Sequence, residues 1–157
     1  MSKFPLTRFF KNPYEFFLVI LQFFIIILHF IKLEFLPKKE IIQVNFIFSF
    51  IGFLIIIISF TVMLIAIKDL GSNLSPFPRP MVKGNLVTSG IYRFMRHPMY
   101  YSLILISFGC FITKLSFYYL CLLVSLALII KFKITLEEKY LNKKYKNYFL
   151  YTDKVKY

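Results

Sequence analysis

The chain has 157 residues, of which 59% are hydrophobic and 17% charged, and its mean hydropathy is +0.70. An apolar share above the roughly 45–50% of soluble domains excludes an ordinary water-soluble fold and points to one integral membrane domain, residues 1–157. Twenty Lys and Arg against seven Asp and Glu give a formal charge of +13. They sit in short segments beside apolar runs, the pattern of positive-inside topology and anionic headgroups, which argues against a nucleic-acid partner.

Met1 to Asn12 carries Lys3, Arg8 and Lys11 and lacks a small-residue cleavage pattern, so it is expected to lead into an uncleaved first span. Phe16 to Ile31 is that span, reaching with its flanks the roughly 20 residues a crossing helix needs. Gln22 and His29 interrupt it and are read as polar groups satisfied between helices. Lys32 to Gln43 is polar, and Pro37 stops helix continuation. Val44 to Ile67 is a second span, along which Gly52, Ser59 and Ala66 recur every seven residues. Such a small-residue stripe suits close helix packing.

Lys68 to Pro98 reads as a loop from its Gly, Asn, Ser and Pro content. The alternating prolines of Ser75-Pro76-Phe77-Pro78-Arg79-Pro80 forbid helix and stiffen the segment, so the loop is expected to be ordered. Met99 to Thr113 and Leu115 to Lys131 are short apolar stretches that predict a helical hairpin barely reaching the far interface. A charged, aromatic helical segment follows over 131–151. The expected fold is an all-α integral membrane protein with about four membrane-embedded helices, the last two a short hairpin, followed by a cytoplasmic C-terminal helical segment. Residues 1–67 hold the two N-terminal transmembrane helices and 68–157 the core with the hairpin.

Charge sets the orientation. The loop over 68–98 has five basic residues against Asp69, and 131–157 has eight lysines against three acids, while 32–43 is nearly balanced at three lysines to two glutamates. Both termini and the central loop are therefore expected on the cytoplasmic side of a multi-pass protein, in a prokaryotic inner membrane.

Two polar clusters bracket the hairpin. Pro98 suits the first position of the third helix, which puts His97 at or near the N-cap. Free backbone N–H groups and the positive dipole end there, reinforced by Arg93 and Arg96, suit a carboxylate or phosphate. Lys133, Glu137 and Glu138, expected near or just beyond the end of the fourth helix, offer the glutamates to a cation, a ribose or an amine. A ligand with both charges would bridge the two, and S-adenosylmethionine has that character. Tyr92, Tyr100, Tyr148 and Tyr151 supply rings and hydroxyls.

Taken singly, each group has a plainer reading. Arg93 and Arg96 are ordinary positive-inside residues, Lys133 and Glu137 a surface i, i+4 pair, and Tyr145, Tyr148 and Tyr151 an interfacial aromatic belt. Cys110 and Cys121 fall in apolar runs and read as packing residues. His29 and His97 lie on different segments, and no metal site is expected.

The order Leu70-Gly71-Ser72-Asn73-Leu74-Ser75-Pro76, Leu86-Val87-Thr88-Ser89-Gly90-Ile91-Tyr92, Arg96-His97-Pro98-Met99-Tyr100, then Glu137-Glu138 with Leu141 and Tyr148, resembles the isoprenylcysteine carboxyl methyltransferase and phospholipid methyltransferase family over roughly residues 68–155. The resemblance implies an integral membrane methyltransferase holding S-adenosylmethionine on the cytoplasmic side, with membrane lipids around it and a lipophilic or prenylated acceptor arriving from the bilayer. Its cofactor contacts then fall on Leu86, Val87, Tyr92, Arg96, His97, Pro98, Met99, Tyr100 and Glu137. Lys133 falls where the family has a substrate-facing basic residue, and Glu138, His97 or a tyrosine is the candidate base for an amine or thiol acceptor. Relatives commonly carry Gly where this chain has Ser102, and arginine where it has Lys133, which keeps the charge but loses the bidentate fork. Carboxyl methylation of an isoprenylcysteine-type compound leads, with phospholipid amine or thiol methylation behind it. An inactive lipid-binding relative and a nicotinamide-dependent reductase are the competing classes.

Overall fold

The computed structural model describes residues 12–31 and 45–156. The basic N-terminal tail and the polar 32–43 connection, with the charges that entered the orientation argument, lie outside the described residues. Five α-helices make up the described chain: α1 (Pro13–Leu28), α2 (Phe46–Leu70), α3 (Pro98–Lys114), α4 (Phe117–Lys144) and α5 (Tyr148–Lys154), with no strand among the described residues.

Helix α1 starts where Asn12 caps the Tyr14 amide and Pro13 occupies the first turn. It stops at Leu28, short of the expected Ile31, and the chain tightens there into i→i+3 bonds from the His29, Phe30 and Ile31 amides to Ile26, Ile27 and Leu28 O, with side chains on two of its last carbonyls. His29 Nδ1 donates to Ile25 O at 2.8 Å, and the Tyr118 hydroxyl donates to Leu28 O at 2.7 Å. Its 16 residues span about 24 Å, less than the roughly 30 Å of a hydrocarbon core.

Helix α2, capped by Asn45 on the Phe48 amide, runs three residues past the expected Ile67. Its buried residues are Gly52, Ser59 and Ala66, while Phe46, Phe53 and Ile58 are exposed. Small residues inside and large apolar ones outside invert the water-soluble pattern, and suit a helix that packs on protein with one stripe and on lipid with the rest. The stripe meets α3 at Gly109. A Cβ on Gly52 would stand 2.7 Å from Gly109 O, and one on Gly109 would stand 2.8 Å from Gly52 O.

Pro98 opens α3 with His97 at its N-cap, as the sequence predicts. Leu115, in the left-handed region at φ 41°, ends α3 and turns the chain into α4. Helix α4 departs from expectation. It does not stop near Lys131 but continues unbroken for 28 residues to Lys144, so Glu137 and Glu138 lie inside it and not beyond its end. The fall in hydropathy after Ile130 marks a change of surroundings and not a change of backbone, for Lys, Glu and Leu are all good helix formers. A core of Leu18, Ile25, Leu122, Leu126, Ile129 and Ile130 joins α1 to α4. Among the described residues, two helices, α2 with its 3₁₀ extension and α4, are long and apolar enough to cross a membrane.

Candidate active site

The segment between α2 and α3 folds over the C-terminal half of α4 and is tied down along its length. Asp69 accepts from the Ile91 amide at 2.7 Å, and Asn73 Oδ1 from the Asn85 amide at 3.1 Å. Gly90 stands at φ +60°, and a Cβ there would fall 2.0 Å from Asp69 Oδ2, so only glycine permits this approach. Lys144 Nζ donates to Met81 O and, at 2.8 Å, to Gly84 O, which also accepts the Tyr145 hydroxyl at 2.7 Å. This is the order that the alternating prolines predict.

Between this cover and the helices lies an open cavity of about 810 Å³, its mouth included. One wall is the loop, with Phe77, Arg79, Leu86 and Val87. A second carries Tyr92, Arg96, His97, Met99 and Tyr100, and the third is Glu137, Leu141 and the tyrosines at 145, 148 and 151. Eight of the nine expected cofactor contacts line it. The ninth, Pro98, is buried behind it as the first residue of α3.

Glu138 points elsewhere. Its Oε1 accepts from His97 Nε2 at 2.7 Å and from Arg96 Nη1 at 3.1 Å. A carboxylate only accepts, so His97 Nε2 carries a proton here. Arg96 also donates from Nη2 to Lys156 O at 2.5 Å, which ties the end of the described chain to the motif. Lys133 is likewise withdrawn from the cavity. It is 1% exposed, and its Nζ donates to Gln22 Oε1 at 2.5 Å and to Pro76 O at 2.9 Å, while standing 5.3 Å from the Tyr100 ring centre. The two residues expected to do chemistry are thus held behind the wall, one bracing the basic pair and the other joining α1, α4 and the proline loop.

The third wall is the α5 end of the molecule. Tyr151 donates to Tyr92 O at 2.6 Å, and burial pushes its hydroxyl up to about 12. Burial and the Glu138 carboxylate that its hydroxyl faces raise Tyr148 further. Arg96 Nε is enclosed without a hydrogen-bond partner among the described residues. An unpartnered donor beside a cavity is a group that a ligand can satisfy.

Sequence reasoning missed Glu15. It is 5% exposed and accepts from Arg79 Nη2 at 2.8 Å, from Asn12 Nδ2 at 3.1 Å and from the Tyr140 hydroxyl. An acidic residue in the first turn of a helix looks like a dipole partner. Its contacts with Arg79 and Tyr140 lie 64 and 125 residues away, beyond any local signal.

A family model described as phospholipid methyltransferase matches residues 47–148, from α2 through the first residue of α5. The chain belongs to the phospholipid methyltransferase family. That family consists of integral membrane methyltransferases and includes the isoprenylcysteine carboxyl methyltransferases, and its methyltransferases normally use S-adenosylmethionine. No curated protein and no solved structure matches the chain. The match covers α2, α3, α4 and the tethered loop, and with them every lining residue of the cavity but Tyr151 on α5. The residues present fit the family's cofactor: a carboxylate, two basic side chains, stacked rings and enclosed donors without partners.

Proposed function

We propose that this family member is an S-adenosylmethionine-dependent methyltransferase acting on a lipophilic acceptor at the cytoplasmic membrane interface, most like the isoprenylcysteine carboxyl O-methyltransferases. The observation that carries this reading is one cavity lined by both polar clusters, Arg96 and His97 on one wall and Glu137 on another. When bound, S-adenosylmethionine supplies an electrophilic methyl group, which passes in line to an acceptor lone pair while the carbon–sulfur electrons stay on sulfur. Such a transfer needs positioning and exclusion of water more than a protein nucleophile.

In this reading Arg96 and the start of α3 hold the cofactor carboxylate, Glu137 takes its amine or ribose, and the tyrosine rings face the sulfonium. Glu138 positions Arg96 and His97, and Lys133 positions Tyr100 and the proline loop. The described helices sit in the membrane with the cavity facing the cytoplasm and α1 to α4 as the four embedded segments. A second reading, methylation of a phospholipid amine, is favoured by the description of the matching family model. It requires the acceptor nitrogen to lose a proton, for which His97 and the tyrosines line the cavity while Glu138 does not.

Calorimetric titration of S-adenosylmethionine into protein in nanodiscs tests the assignment. Saturable binding is expected, weakened about tenfold or more in Glu137→Ala, since a hydrogen bond to a charged group contributes about 1.5–3 kcal/mol. Equal affinity in wild type and Glu137→Ala removes the site. Labelled-methyl transfer to a farnesylcysteine compound or to phosphatidylethanolamine then separates the two acceptor readings.

A further inference from the structure

The cavity holds more positive charge than its cofactor uses. Arg79 and Arg96 both line it, against Glu137 as its acidic lining residue. Arg96 belongs to the α3 wall, where the cofactor carboxylate is placed. Arg79 sits on the proline loop, beside Phe77 and Pro78, and is fixed from behind by α1 and α4. Its Nη2 reaches Glu15 Oε1 at 2.8 Å and the Tyr140 hydroxyl at 3.4 Å, and its guanidinium carbon lies 5.1 Å from the Tyr140 ring centre. Its Nε is enclosed with no hydrogen-bond partner among the described residues. A guanidinium has five donors in a rigid fork that matches carboxylate and phosphate. This one is anchored at one nitrogen and left with an unsatisfied donor at another.

We propose that Arg79 binds the anionic group of the methyl acceptor, a phosphate or a carboxylate carried on a lipophilic chain, and that Glu15 and Tyr140 are its positioning residues. The proposal rests on the methyltransferase reading above and adds the acceptor's chemistry to it. Glu15 removes little of Arg79's capacity, because one carboxylate oxygen engages one nitrogen. Buried ion pairs contribute little net stability, so geometry is the gain that this one offers. The cluster holds the fork rigid where the apolar loop meets the cavity, which a headgroup on a membrane-bound chain can reach with its tail still among lipids.

The test uses protein in nanodiscs of zwitterionic lipid, with S-adenosylmethionine titrated alone and then dodecyl phosphate and dodecanoate titrated into protein saturated with S-adenosylhomocysteine. At least one anion is expected to bind saturably, and Arg79→Gln to weaken it about tenfold, with S-adenosylmethionine affinity within twofold of wild type. Preference for the phosphate indicates a phospholipid headgroup, and preference for the carboxylate a prenylated or acyl acid. Glu15→Gln and Tyr140→Phe are expected to weaken the same anion by a smaller factor and leave the cofactor unmoved, and Arg79→Lys to restore only part of the binding. If Arg79→Gln misfolds, Arg79→Lys carries the test, since it keeps the charge that faces Glu15. Anion binding that is absent, or equal in wild type and Arg79 variants, overturns the proposal. So does loss of S-adenosylmethionine affinity in the variants, which makes Arg79 a cofactor contact. Absence of S-adenosylmethionine binding in wild type instead sinks the methyltransferase reading, and the acceptor assignment goes with it.

Discussion

Helices α2 and α3 meet backbone to backbone through Gly52 and Gly109, whereas α1 reaches α3 and α4 through paired polar side chains. His29 Nε2 meets Ser107 Oγ at 2.7 Å, Lys133 meets Gln22 at 2.5 Å, and Glu15 meets Arg79 and Tyr140. In lipid, apolar side chains gain nothing by leaving their surroundings, so helices associate through close van der Waals contact or hydrogen bonds. The first seam uses close contact alone, and the second adds hydrogen bonds to the apolar core between α1 and α4. The first is steric and carries no chemistry. The second is directional, and it fixes the proline loop and Arg79 against the cavity.

The steric seam is the easier to break. Gly109→Leu puts a Cβ 2.6 Å from Ile56 Cγ1 and 2.8 Å from Gly52 O, and a backbone oxygen cannot swing aside. The helices must part, at a cost of about 3 kcal/mol. Thermal unfolding in detergent should show a large fall in Tm, with the smaller Gly109→Ala between it and wild type. A Gly109→Leu protein as stable as wild type would mean that the seam is not close-packed.

The polar seam should respond to loss of a partner. Lys133→Ala leaves Gln22 and Pro76 O without their buried donor, which should cost about 2 kcal/mol and raise hydrogen exchange over residues 75–80. Gln22→Leu should cost about 1 kcal/mol. In the double-mutant cycle the two changes should be non-additive by about 0.5–1 kcal/mol. Additive effects would remove the tie.

The steric seam was legible in the sequence and the polar one in part, for Gln22 and His29 were read as polar groups satisfied between helices and they meet Lys133 and Ser107, while their partners were not foreseen. Gly52, Ser59 and Ala66 announce their role because their spacing matches two helical turns. Pro98 likewise announces a helix start and an N-cap at His97, because its ring suits that position alone. The motif residues on 86–100 and Glu137 were readable through family resemblance, and they converge on one cavity. Lys133 was read as facing a substrate, and the structure turns it toward Gln22 on another helix, a partner 111 residues away. Glu15 and Arg79 were invisible as a pair for the same reason. Helix α4 was cut short because hydropathy reports the solvent along a helix and says nothing of where the helix ends.

The smallest effect lies at the C-terminal end of these polar contacts, at Tyr151 on α5. Its hydroxyl donates to Tyr92 O, and burial raises its pKa from 10.0 to about 12. The folded protein therefore holds this proton more tightly than the unfolded chain does. The stabilisation is complete below pH 10, and it is lost as pH rises from 10 to about 12, where the unfolded chain ionises first. Tyr151→Phe should be less stable than wild type at pH 8, by about 1 kcal/mol for the hydrogen bond. The gap should close across that alkaline window. Tyr92 and Tyr148 are raised by burial too, but they are present in both proteins, so the difference between the two Tm curves isolates Tyr151. Curves that stay parallel from pH 8 to 12 would show that this contact, unlike Lys133 with Gln22, does not bear on the fold.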